Sequence, residues 1–142
     1  MSPELGQAAR RLVTGEGGDE QSSKQLAERA ASAFRKLGDH LARLLGKMGM
    51  EMLLERSVAL ASAEYPWLVI ASRGHEVVEG RVASALQGAM EAQEPGAIVE
   101  AFAAVLSALV GLLERLIGEG LVERLLEEVW PEVFVRVAKE TP

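Results

Sequence analysis

The chain has no cysteine, which removes disulfides, thiol nucleophiles and Cys-ligated zinc or iron–sulfur centres from consideration. Aromatic residues are only 4% of its 142 residues. The core must therefore be built from Leu, Val, Ala and Met, a diet that favours helices over sheets. Histidine occurs at His40 and His75 alone. With no thiol and so few imidazoles, acid–base and nucleophilic schemes must rest on carboxylates, and none of these pairs convincingly. No serine nucleophile elbow is present. The run Gly15-Glu16-Gly17-Gly18-Asp19 has neither the following lysine nor the preceding strand of a phosphate loop. The final helical pattern is rich in carboxylates but lacks the Glu-x-x-His spacing of di-iron bundles. No basic segment followed by an apolar run opens the chain, so no secretory signal is expected. Together these absences predict a cytoplasmic protein that is not an enzyme and takes no cofactor.

Net basic charge is also lacking. The formal charge is −6, with 15 basic and 21 acidic side chains. The excess acid falls in residues 72–142, since residues 1–71 balance. An acidic surface repels phosphate backbones, so nucleic acid is not expected as a partner. Arginine outnumbers lysine, and Ala, Gly, Leu and Glu dominate, which points to a GC-rich bacterial genome.

What the chain does have is a stretch that reads twice. Leu44-Leu45-Gly46-Lys47-Met48-Gly49-Met50-Glu51-Met52-Leu53-Leu54-Glu55 recurs 72 positions later as Leu116-Ile117-Gly118-Glu119-Gly120-Leu121-Val122-Glu123-Arg124-Leu125-Leu126-Glu127. Each copy ends one helical pattern at glycine, starts another, and then meets an aromatic–proline pair, Tyr65-Pro66 or Trp130-Pro131. Apolar spacing predicts helices over about 22–48, 50–64, 74–93, 97–117 and from 119 onward. Ser22 and Gln25 form a capping box for the first. Pro66 either ends the second or opens a short turn, Glu94-Pro95-Gly96 is a turn, and Pro131 should kink or break the last helix. That last helix is expected to follow Leu121, Leu125, Val129, Val133 and Val137.

Residues 101–113 carry no charge. A helix apolar all round is normally the centre of a domain, and a membrane span needs about 20 apolar residues, so no transmembrane span is expected. The fold class follows: all-α, a five- to six-helix bundle around a buried central helix at about 97–117, with two repeat-related helix–corner–helix units. Residues 1–22 read as a mobile arm, with a short amphipathic helix capped by Ser2 and a Gly-rich linker, and 23–142 as a single helical domain. The arm's apolar face, with Leu5 and Leu12, can dock on its own domain, dock on a partner, or stay disordered.

Candidate contact residues follow from charge and aromatics. Arg29, Lys36 and Arg43 form a basic stripe on the first helix, and Glu119, Glu123 and Glu127 an acidic stripe on the last. Facing each other they would set the register of a helix pair, within the chain or between subunits; apart, they are solvated faces worth little. Trp67 and Trp130, beside the helix breaks, either line a groove or plug the bundle ends. The leading functional expectation is a protein-interaction or regulatory module that binds a partner protein or itself, as a homo-oligomer.

A second expectation is a small apolar ligand or lipid inside the bundle, against the methionines between Met48 and Met90. His75 and Glu79 lie one turn apart, but without the second histidine of a zinc-protease motif no metal is expected. Finally, Gly38-Asp39-His40-Leu41-Ala42-Arg43-Leu44 resembles the phosphoacceptor helix of histidine phosphotransfer domains. That resemblance implies His40 as phosphoacceptor and Arg43 as its electrostatic support. The family's glycine one turn after the histidine is Leu44 here.

Overall fold

The computed structural model describes residues 3–14, 21–72 and 80–134. Every regular element among them is helical, and they assemble into an all-α bundle. In order these are α1 (Pro3–Thr14), α2 (Ser23–Ala61), a 3-10 turn at Pro66–Leu68, α3 (Val69–Ser72), α4 (Arg81–Glu91), α5 (Pro95–Ile117), α6 (Glu119–Val129) and α7 (Pro131–Phe134). The expected cap Ser2, the glycine linker at 15–20, the pair His75 and Glu79, and Val137 of the last apolar stripe lie outside the described residues.

The capping box forms at the start of α2. Ser22 Oγ accepts from the Gln25 amide at 3.2 Å, and Gln25 Oε1 accepts from the Ser22 amide at 2.9 Å. The helix then breaks at Gly46, whose φ of 78° and ψ of 157° lie far from helical values. The second arm folds back beside the first. A Cβ placed on Gly38 would come 3.5 Å from Met50 Cγ, an ordinary van der Waals contact, so the two arms lie side by side there. The same conformation recurs at Gly118, with φ 89° and ψ 152°, between α5 and α6. Each glycine is followed by a descending helix, and each of those ends near an aromatic residue in a matching conformation: Tyr65 (φ −127°, ψ 79°) and Trp130 (φ −132°, ψ 67°). Proline then opens a 3-10 turn or a short helix.

This backbone region is open essentially only to glycine, and a Cβ at Gly46 or Gly118 would meet nothing within 4 Å. Replacing either by alanine therefore costs conformational energy alone, about 1–3 kcal/mol. Urea unfolding of Gly46→Ala and Gly118→Ala measures it; midpoints equal to that of the parent chain would mean the corners are not held as described.

α5 is the centre. Phe102, Leu106, Leu109 and Leu113 on its large face are at most 1% exposed, while Ala97, Ala104, Ala108 and Gly111 on its small face are half-buried. By length and composition alone α5 could cross a membrane, but half of its apolar stretch is buried inside the bundle. The neutral run 101–113 thus understates the helix, which extends over 23 residues. Phe34 of α2 packs on Phe102 with ring centroids 5.0 Å apart. Ser23 Oγ donates to Gln93 O. The two contacts advance together along the chain, so the first arm of α2 and α5 run parallel, and their glycine corners sit at the same end of the bundle, within about one helical turn of each other in level.

Of the alternatives open to the arm's helix, α1 takes docking on its own domain: Ala9 and Val13 are fully buried with α2 and α5, and Leu5 and Leu12 pack against them. Small apolar side chains give α1 a close seat that its length alone could not provide. The third helix does not run through from residue 74, because Gly80 takes a left-handed conformation (φ 81°) and α4 starts at Arg81. α6 buries Val122, Leu126 and Val129, not Leu121, since the glycine corner fixes its rotation. The second arm of α2 also ends earlier, at Ala61.

Candidate functional site

The parallel run of α2 and α5 brings both corners to one pole, and the pole is apolar. Leu44 is 55% exposed, Met48 50%, Met52 61%, Leu116 60% and Leu121 37%. Leu44 and Leu116 are equivalent positions of the repeated stretch, each two residues before its glycine. Met48 and Met52 lie one turn apart on a single face of the returning arm. Leu60, at the far end of that arm, is the other large apolar side chain exposed among the described residues. Scattered exposed leucines are normal, but a gathered set marks a contact surface. Charges of both signs surround the pole: Asp39, Arg43 and Lys47 at the first corner, and Arg115, Glu119, Glu123 and Arg124 at the second, all exposed.

Below the first corner lies a polar knot. Glu51 is 7% exposed. Its Oε2 accepts from the Gly80 amide at 2.9 Å and its Oε1 from the Val82 amide at 2.7 Å. A carboxylate from α2 thereby caps the N-terminus of α4, where free amides and the helix dipole favour negative charge. One turn on, Glu55 accepts from Arg81 Nη2 at 2.8 Å. Arg81 Nε is buried without a hydrogen-bond partner among the described residues. Beside the knot is a cleft of about 280 Å³ between the two arms of α2 and α4, with Phe34, Met50 and Leu54 as its apolar lining and Arg35, Asp39, Lys47 and Glu51 as its polar lining. Of the methionines expected to line a ligand pocket, Met50 reaches this cleft, Met90 is fully buried core, and Met48 and Met52 face outward.

The residues singled out from sequence divide among several places. Leu12, Arg29, Lys36 and Trp130 come together in an open groove of about 460 Å³, with Glu28, Ser32, Ala33 and Glu132. Trp130 shows only an edge there; at 3% exposed it mainly plugs the bundle and packs on Phe134 at 6.0 Å. Trp67 is half-buried and meets Tyr65 edge-on at 6.4 Å. Burial, and then the nearby Glu100 and Glu64 carboxylates, raise the pKa of the Tyr65 hydroxyl above its ordinary value. Leu5 packs against the core. Arg43, Glu119 and Glu123 are exposed at the corners, and Glu127 is half-buried.

The basic and acidic stripes do not pair. Among the described residues the ion contact between α2 and α6 is His40 Nε2 with Glu128 Oε1, at 2.8 Å. A phosphoryl group on that nitrogen would lie against a carboxylate, an arrangement that opposes phosphotransfer. Among the described residues no cluster of three His, Asp or Glu side chains could hold a metal.

Glu51 was not singled out by sequence, although a signal existed. It sits three residues before Leu54 and seven before Val58, a carboxylate on a buried stripe. The exposed pole was missed too, because Leu44, Met48 and Leu121 were assigned to buried stripes. No family model, no curated protein and no solved structure matches the chain.

Proposed function

We propose that this chain is a non-catalytic interaction module of the bacterial cytoplasm that engages protein through the apolar pole at its two glycine corners. One observation carries the reading: Leu44, Met48, Met52, Leu116 and Leu121 are held in the open at one end of the bundle, and among the described residues Leu60 is the other large apolar side chain exposed. Keeping such side chains in water is unfavourable by roughly 25 cal/mol per Å² of apolar surface. The corners that hold them there are built from a backbone conformation that only glycine takes easily. The interaction surface is therefore the pole, and the aromatic residues beside the prolines serve mainly to close the bundle.

The test is a photo-crosslinking amino acid placed at Met48 and, for comparison, at Lys24, an exposed site at the opposite end of α2. In expressing cells, the Met48 position should yield discrete covalent adducts with polypeptide, and the Lys24 position should not. Equal patterns at the two sites, or none at Met48, would remove the pole as the contact surface.

A further inference from the structure

We infer that the cleft between α4 and the two arms of α2 is a binding site for a small zwitterion with an apolar body, an α-amino acid carrying an apolar side chain. The inference stands independently of the pole, whose exposed leucines and methionines do not line this cleft.

The space exists because small residues face it. Gly38 and Ala42 on the first arm of α2 and Ala83 on α4 help leave a volume of about 280 Å³. Small-molecule sites run from about 300 to 1,000 Å³, so the occupant is a small metabolite rather than a large cofactor. Phe34, Met50 and Leu54, each almost fully buried, present their edges to the cleft and make its interior apolar.

The polar groups differ in what they have left to offer. Glu51 is engaged, since both of its oxygens accept from the Gly80 and Val82 amides. Arg35 and Asp39 are exposed and lie one turn apart on α2. Opposite charges at that spacing can pair with each other, but these two do not. Arg35 Nη2 donates instead to Ser84 Oγ of α4 at 3.2 Å, and among the described residues neither Arg35 nor Asp39 forms an ion pair. The Ser84 bond holds the guanidinium between α2 and α4 with its other donors still to be met. A cation and an anion thus stand side by side at the rim of an apolar cleft.

An α-amino acid carries the complementary pair on one carbon. Its carboxylate meets Arg35, whose fork of donors matches two oxygens. Its ammonium group meets Asp39, and its side chain enters toward Phe34, Met50 and Leu54. With Lys47 on the returning arm, the charged residues of the lining are two basic and two acidic. That balance suits a ligand with no net charge better than a simple anion or cation.

Amide chemical-shift titration of the isotope-labelled full chain with L-phenylalanine, L-leucine and L-methionine in turn tests the site. At least one should move the Gly38, Ala42, Gly80 and Ala83 amides saturably, with a Kd of about 1 mM or below. Arg35→Gln and Asp39→Asn should each raise that Kd by about tenfold. Both side chains are exposed, so the melting curves of these variants should match that of the parent chain. Hydrocinnamate, which is phenylalanine without the ammonium group, and phenethylamine, which lacks the carboxylate, should both bind more weakly than L-phenylalanine. No saturable shift with any of the three amino acids up to about 20 mM overturns the site. Hydrocinnamate or phenethylamine binding as tightly as L-phenylalanine overturns the zwitterion. Shifts that ignore Arg35→Gln and Asp39→Asn and fall on Leu44, Met48 and Leu116 overturn the cleft, the amino acid then resting on the apolar pole.

Discussion

A chain lacking residues 1–20 should be less stable than the full chain by about 3 kcal/mol, although the deleted segment reads from sequence as a mobile arm. Ala9 and Val13 are fully buried, Ala8 nearly so, and Leu5 and Leu12 pack against the same core. Removing them forfeits that apolar burial and uncovers the faces of α2 and α5 on which α1 lies. The truncation keeps Ser22 and Gln25, so the cap of α2 is not disturbed. Urea unfolding decides the matter. A lowered midpoint, with a slope reduced in proportion to the missing surface, is the expected result. An unchanged midpoint would mean that α1 adds nothing to the core on which it is seated.

The features legible in sequence are those set by neighbours within a turn or two of the chain. The capping box at Ser22 and Gln25 is a local exchange of two hydrogen bonds, and it forms as read. α5 is legible over 97–117 from its unbroken apolar run and from Gly118, while Pro95 and Gly96, which read as part of a turn, form its first turn, where proline's missing amide leaves no bond unmade. The aromatic–proline pairs break helices because proline removes a donor and clashes with the preceding turn. What was not legible depends on contacts across the fold. Gly80 interrupts an apolar period that runs through it, since α4 starts only after its left-handed backbone, where Glu51 accepts from the Gly80 and Val82 amides. The rotation of α6 follows from the Gly118 corner, so Val122 and Leu126 are buried one residue after the expected Leu121 and Leu125, while Val129 is buried as its period predicts. The charged stripes are complementary in sequence and read either as partners or as solvated faces; the contact that forms joins His40 to Glu128, 88 positions apart. The pole was illegible for a related reason: Leu44, Met48 and Leu121 continue apolar periods, and only the path of the chain past each glycine shows that these side chains turn outward.

Glu51→Ala should cost about 3 kcal/mol, well above the usual effect of truncating a surface carboxylate. The substitution leaves the Gly80 and Val82 amides without their acceptor, and the Val82 contact is buried. An unpaired buried donor costs about 1–3 kcal/mol, and the loss of a favourable charge at the start of α4 adds several tenths. Glu51→Gln keeps the length of the side chain but offers one carbonyl oxygen where two oxygens are needed. Its amide group would turn a donor toward a donor, so about half of the loss should remain. Glu51→Asp is one methylene shorter and should fail to reach both amides at once. Hydrogen exchange separates this mechanism from a general loosening of the fold. In Glu51→Ala, protection should fall first at the amide-rich start of α4, ahead of the centre of α5. If alanine costs less than about 0.5 kcal/mol, water replaces the carboxylate and the cap is not what holds α4. The expected large loss would tie the two parts of the molecule together. Glu51 lies five residues after Gly46, so the contact that caps α4 also fixes the arm that carries Met48 and Met52, and the pole is presented by an element anchored at its base.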